Sequence, residues 1–176
     1  MSSNWSALHA QLVRSVNRHS NMHTFSNIFL TDLSPSGFRD PPHLFGWLHS
    51  PSGDHTIKNT VLAQLLSKAC GEGAERELAA ELLILALWPG LCAVRHRLRS
   101  YRDIETLDAD LLSQITITIR QSDPVHVTRI AATLLRNTER DLRRAYRREA
   151  QTSRLPNEDQ VRICLVVSEP ASGADV

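Results

Sequence analysis

Seven arginines lie between positions 129 and 148, in a stretch that otherwise has the pattern of an amphipathic helix. Five of them follow one another at spacings of seven, four, three and four, which places them along one side of a helix. These five are Arg129, Arg136, Arg140, Arg143 and Arg147. Because the guanidinium group is a planar fork of donors, it suits phosphate and carboxylate groups. The row therefore predicts a surface for a polyanion, either nucleic acid or an acidic protein.

A second interpretation of the same row is an ordinary solvent-exposed helix face. Arginine favours helices, and near a helix C-terminus it complements the helix dipole. Against this, only Glu139, Asp141 and Glu149 accompany the seven arginines, so the charge is one-sided. Tyr146 is the one aromatic residue among them, which gives little material for base stacking. Both interpretations stay open at this stage.

The composition limits the classes of function. A chain of 176 residues is long enough for one domain with an appended arm. Its formal net charge is +1, so nucleic-acid binding must rest on a local patch. The longest uncharged run, 82–94, is too short to span a bilayer and contains Pro89. Since the first twenty residues also lack the apolar core of a signal peptide, we expect a cytoplasmic protein without a membrane role.

No pattern of catalytic or metal-binding residues emerges. The three cysteines are far apart, without metal-ligand spacing or a disulfide framework. His19 and His23 stand four apart, as two helical metal ligands would, but no third ligand is near. The phosphate-binding and dinucleotide-binding glycine motifs are absent, as are the nucleophile-elbow and His-Glu-x-x-His motifs. We predict no catalytic residue, no metal and no cofactor, and a protein that is not an enzyme.

The hydrophobic patterns predict an all-α fold of five or six helices. Asp54 or Thr56 can cap a helix that ends at Gly71. Residues 78–87 are apolar on almost every side, which predicts a central buried helix that Pro89 breaks.

The C-terminal half continues the helical pattern. Asp108 or Asp110 is predicted to open the next helix. Residues 115–119 alternate as a strand would, but the helical flanks favour a helix. The pair Asp123–Pro124 then predicts the start of a last helix that runs to about Ala150.

The two ends of the chain are less regular. A short helix is predicted over 5–18, followed by a turn-rich loop at 31–55 that aromatic side chains pin to the core. The tail has apolar residues at 161–167 and is predicted as a short strand or an arm. The predicted organisation is an N-terminal segment 1–55, a helical domain 56–150 and a tail 151–176.

Several segments occur in an order that resembles a known family. LLILALWPGLCAVRHRLRSYRD is followed by LDADLLSQITITIR, by Asp-Pro, and by RIAATLLRNTERDLRRAYRRE. This order resembles the second conserved region of bacterial sigma-70-type factors, particularly the small extracytoplasmic-function group, and covers residues 78–149. In that family one helix faces the clamp of RNA polymerase and the arginine-ended helix opens promoter −10 DNA.

The resemblance implies roles for particular residues. Asp110 and Gln114 correspond to the surface that faces RNA polymerase. With the arginine row, the predicted DNA-binding residues are Arg129, Arg136, Asn137, Arg140, Arg143, Arg144 and Arg147. The stretch QSDPVHVTRI before the last helix has no aromatic beyond His126, whereas the family holds flipped bases there. We therefore expect a repurposed sigma-like domain.

The leading prediction is thus a sigma-factor-like transcription regulator that binds promoter-like DNA, RNA polymerase or both. The alternative is a helical interaction or oligomeric adaptor protein with no nucleic-acid role. It rests on the apolar residues at 38–48 and 161–167, which could dock a partner or a second copy of the chain.

Overall fold

The computed structural model describes residues 3–29 and 37–152, which form eight α-helices without a β-strand. The helices are α1 (Ser3–Val16), α2 (His19–Phe29), α3 (Pro41–His49), α4 (His55–Cys70), α5 (Glu75–Ala86), α6 (Trp88–Leu98), α7 (Ile104–Gln121) and α8 (Ile130–Thr152). The all-α prediction is confirmed for these residues. The helix count exceeds the predicted five or six because α3 forms in the segment predicted as a loop, and α2 forms in a stretch for which no element was predicted. The predicted tail segment 161–167 lies outside the described residues.

The core is built around α5. This helix packs against α4, α1, α2, α3 and α7, and residues 78–80 and 82–85 are all buried. A helix that is apolar on every side can bury its apolar surface only if other helices surround it. The prediction of a central buried helix is therefore confirmed. The break at Pro89 is confirmed too, since α5 and α6 meet at a bend of 64°.

The segment at 37–50 is a correction. It was predicted as part of a loop, but the structure forms α3 there. Asp40 caps that helix by accepting a hydrogen bond from the His43 backbone N–H at 2.8 Å, and Pro41 occupies the first turn. The predicted aromatic pinning is present, because the buried Phe38 ring lies 5.2 Å from that of Phe29 and 5.4 Å from that of Trp47.

The start of α7 is a second correction. This helix begins at Ile104, where Asp103 accepts hydrogen bonds from the backbone N–H groups of Glu105 and Thr106. The predicted start at Asp108 or Asp110 is wrong because both residues lie inside the helix. Asp108 is fully buried there and pairs with Arg95.

The start of α8 is a third correction. The Asp123 carboxylate accepts a hydrogen bond from the Val125 N–H at 2.9 Å and lies 2.7 Å from the His126 ring, which makes a turn rather than a helix. The helix begins at Ile130, whose N–H donates to the Asn59 side chain of α4 at 3.0 Å. A residue 71 positions earlier in the chain thus supplies the cap.

The chain divides into two compact units, and the division falls within α8 between Arg143 and Arg144. The first unit contains α1 to α7 and the first part of α8. The described residues of the second unit are the remainder of α8. Among the described residues no single helix has the length and apolarity to cross a membrane. Only α5 and α6 taken together have that length and apolarity, and they form a bent pair.

Candidate nucleic-acid interface

The first part of α8 packs through a narrow buried stripe. Ile130, Leu134 and Leu142 are buried, and Thr138 continues the stripe although it is polar. Its hydroxyl donates to the Leu134 carbonyl at 2.8 Å and lies 3.3 Å from the Thr118 hydroxyl of α7, so burial leaves no unpaired donor. The stripe orients the helix so that Arg136, Arg140 and Arg143 project away from the core.

Glu139 connects the arginines of two helices. Arg97 of α6 donates two hydrogen bonds to Glu139 Oε2, at 2.7 and 3.0 Å. Arg143 donates to the other carboxylate oxygen at 2.7 Å. The hydrogen bond from Arg97 is the largest influence on Glu139 and holds the pKa of its carboxyl below the ordinary range. The bridge brings basic residues of α6 and α8 together on one surface.

Tyr101 adds an aromatic ring to this surface. The guanidinium of Arg143 lies 5.7 Å from the ring centroid, and 39% of Tyr101 is exposed. Sequence reasoning missed this residue because it lies in the connection between α6 and α7, 42 positions before Arg143. We call the set Arg97, Arg136, Arg140, Arg143 and Tyr101 the basic surface.

The predicted row is less free than its spacing indicates. Arg140 pairs with the adjacent Asp141 through two hydrogen bonds of 2.8 and 3.2 Å, and Arg143 is held by Glu139. Arg136 is exposed and makes no ion pair within residues 3–29 and 37–152. The basic surface therefore carries four guanidinium groups against two carboxylates, which leaves a net positive charge.

Arg129 lies at the start of α8, next to residues of α4. It directly precedes α8, and its carbonyl accepts the hydrogen bond of the Thr133 N–H at 2.9 Å. At 1.5 Å per residue, about 10 Å of helix separates it from Arg136. It lines a cavity of about 480 Å³ with His55, Thr56, Asn59, Thr128, Ala131 and Ala132.

Asn137 also faces elsewhere. Together with Arg140 it lines a polar cavity of about 290 Å³ between the end of α7 and α8. The other lining residues are Thr118, Gln121, Ser122, Asp123, Val127 and Asp141. The structure thus places Asn137 beside Arg140 but not on the side of α8 that carries Arg136 and Arg143.

Two predicted DNA-binding residues belong to the second unit. Arg144 and Arg147 are both exposed on α8 and make no ion pair with any residue that the structure describes. Three positions apart, they share one side of the helix.

The predicted polymerase-facing residues lie on α7. Asp110 and Gln114 are four positions apart and so share a face of the helix. The Asp110 carboxylate lies 3.9 Å from Arg102 Nε, and both side chains are about one-third exposed. Gln114 is half-buried. The polymerase-facing role of these two residues stays a prediction.

The structure brings together no metal site among the described residues, where no three side chains of His, Cys, Asp or Glu converge. His19 and His23 both lie on α2 and are exposed. Cys70 is hydrogen-bonded to the Ile119 carbonyl at 3.1 Å, and burial raises the pKa of its thiol, as expected of an inert cysteine.

Comparison of the chain with protein-family models, with curated proteins and with solved structures gives no match.

Proposed function

We propose that the chain binds nucleic acid through the basic surface, as a transcription regulator that resembles the second region of sigma factors. The observation that carries the proposal is the Glu139 bridge, because it fixes arginines of α6 and α8 on one side of the molecule. A rigid pair of helices that presents several guanidinium groups can contact successive phosphates without ordering each side chain separately.

Tyr101 supports unpaired nucleic acid as a ligand of the basic surface. An exposed aromatic ring beside a guanidinium offers a stacking face for a base that is not paired. Single-stranded or forked DNA is therefore expected to bind more tightly than duplex DNA.

The alternative, an interaction adaptor, loses part of its basis. The segment 38–48 was expected to offer apolar surface, but Phe38 and Leu44 are buried in the chain's own core. The remaining apolar side chains of the segment are half-buried, namely Phe45, Trp47 and Leu48. The segment 161–167 lies outside the described residues.

The salt dependence of DNA binding tests the proposal. Fluorescence anisotropy with labelled forked DNA should show affinity that falls steeply with salt, with a log–log slope of roughly one per phosphate contacted. Arg136→Ala should lower that slope by about one. Arg14→Ala is the matched control, because it removes an exposed arginine of α1 outside the basic surface.

Two outcomes count against the proposal. If Arg14→Ala and Arg136→Ala change the slope equally, the basic surface has no special role. If the wild type has no affinity for forked DNA even at low salt, the nucleic-acid function is excluded. The sigma-factor form of the proposal also requires binding to purified bacterial core RNA polymerase, and its absence would leave nucleic-acid binding alone.

A further inference from the structure

A third cavity lies at the end of α6, beside α1 and the first residue of α7. Its volume is about 390 Å³, which falls in the range of roughly 300–1,000 Å³ that is usual for small-molecule sites. It is lined by Trp5, Cys92, Arg95, His96, Arg99 and Ile104. None of these residues belongs to the basic surface, so the cavity is independent of the proposed nucleic-acid function.

The inner wall of this cavity is held in place from several directions. The fully buried Trp5 ring stacks on Trp88 at 4.3 Å, and its indole N–H donates to Cys92 Sγ at 3.3 Å. Arg95 covers Trp5, with its guanidinium carbon 5.4 Å from the ring centroid. The same guanidinium pairs with the buried Asp108, and its charge is therefore already compensated. Arg95 therefore contributes a compensated guanidinium to the cavity lining rather than an uncompensated charge.

Arg99, at the mouth of the cavity, is in a different position. The neighbouring arginines Arg97 and Arg102 lie near the carboxylates of Glu139 and Asp110. Arg99 makes no ion pair in the part of the chain that the structure describes, and its polar contact is with His96 Nδ1 at 3.5 Å.

The carboxylate that follows Arg99 most closely in sequence is engaged elsewhere. Asp103 accepts the N–H groups that begin α7. Beside this uncompensated cation lies Ile104, of which 37% is exposed. A cation, an imidazole and an exposed apolar side chain thus meet around one opening.

We propose that this cavity binds a small aromatic molecule that carries a carboxylate or phosphate group. The oxyanion accepts hydrogen bonds from Arg99, and from His96 through the ring nitrogen that carries a proton. The aromatic body lies against Arg95 and Ile104, because guanidinium groups pack favourably on aromatic rings. Both halves of the ligand are needed, since Arg99 alone is open to water and an exposed ion pair contributes little.

Isothermal titration calorimetry with three probes tests this proposal. We expect 2-naphthoate to bind with a Kd below about 1 mM. The neutral analogue 2-naphthalenemethanol should bind at least about tenfold more weakly, and inorganic phosphate should give no heat at the same concentrations. The phosphate measurement distinguishes a site for an amphipathic ligand from one for a bare anion.

Two variants locate the binding. Arg99→Met keeps the length of the side chain without its charge, and should weaken naphthoate binding about tenfold. Ile104→Glu places a carboxylate beside Arg99 and should abolish it. Arg18→Met, which removes an exposed arginine outside the cavity, should leave it unchanged, and circular dichroism should show all three variants folded.

The proposal is overturned by any of three results. The first is no heat with naphthoate at millimolar concentrations. The second is equal affinity for naphthoate in the wild type, Arg99→Met and Ile104→Glu. The third is binding of inorganic phosphate as tight as that of naphthoate, which would remove the role of the apolar wall.

Discussion

At the scale of single residues, Glu139 has two opposing effects. Its carboxylate holds Arg97 and Arg143 in fixed positions, which stabilises the packing of α6 on α8. The same negative charge lowers the potential of the basic surface, where a polyanion would bind. A residue with only a structural role would affect the free energy of unfolding and leave DNA affinity alone, so the two effects can be measured separately.

Glu139→Gln should therefore lower stability and raise DNA affinity. We expect a loss of roughly 1 kcal/mol in the free energy of unfolding, because Glu139 is mostly buried while Arg97 is half exposed and screened by solvent. Affinity for forked DNA at low salt should increase about fivefold, since the loss of one repulsive charge outweighs the loss of the order that the bridge gives Arg97 and Arg143. Urea denaturation and fluorescence anisotropy give the two quantities.

The control for this variant is Glu77→Gln. It removes the same charge from the molecule, but from a surface pair with Arg120 at 3.2 Å that lies outside the basic surface. An equal gain of DNA affinity in both variants would mean that net charge, and not the bridge, governs binding.

At the scale of helices, the close approach of α6 and α8 depends on Gly90. A Cβ atom added there would lie 2.3 Å from Leu135 Cδ1, which is far inside van der Waals contact. The Leu135 side chain would therefore have to shift if a Cβ were added, whereas the helical backbone at Gly90 does not itself call for glycine.

Gly90→Ala should destabilise the protein although alanine favours helices. Overpacking costs about 1–3 kcal/mol and the gain in helix propensity is about 0.5–1 kcal/mol, so we expect a net loss of roughly 1 kcal/mol. Adding Leu135→Ala should recover part of the Gly90→Ala loss in a double-mutant cycle measured by urea denaturation.

Gly46→Ala is the matched control for this prediction. Gly46 is also helical, in α3, and an added Cβ would meet no atom within 4 Å. Its replacement should raise stability by about 0.5–1 kcal/mol. A gain of the same size at Gly90 would show that the Leu135 side chain shifts without cost.

The helices also show which features of the fold the sequence predicts. The start of α4 at Asp54 and its end at Gly71 depend on groups within one turn, so local chemistry predicted them. The start of α8 was wrong because Asn59, far away in sequence, supplies the partner that Asp123–Pro124 would otherwise provide. Spacing likewise predicted the arginine row. The Glu139 bridge and the position of Tyr101 depend on contacts between helices, which the spacing of residues along the chain does not predict.

At the scale of the whole molecule, the net charge of +1 gives little long-range attraction for DNA. Recognition must then depend on the few groups that the fold brings together, and on the folded state itself. Several acidic groups that hold this fold together are ionised and hydrogen-bonded, which connects the stability of the molecule to pH.

Stability should fall as the solution is acidified. Hydrogen bonds hold the pKa of three aspartates below the ordinary value of 3.8. The donor is Thr56 for Asp54 and Thr106 for Asp103. For Asp123 the donor is His126. The bridge from Arg97 does the same for Glu139, whose ordinary value is 4.5. Because each folded-state pKa is depressed, the contribution is complete above the unfolded value and is lost as pH falls through the folded one.

Urea denaturation at several pH values measures this loss. The free energy of unfolding should be constant with respect to these groups from pH 7 to about 5 and decline below that. At pH values just below about 5, the free energy of unfolding of Glu139→Gln should decline less steeply than that of the wild type, because the variant lacks one of the linked carboxyls. Parallel curves for the two proteins would show that the Glu139 bridge is not formed in solution, and the basic surface would then lack the contact that unites its two helices.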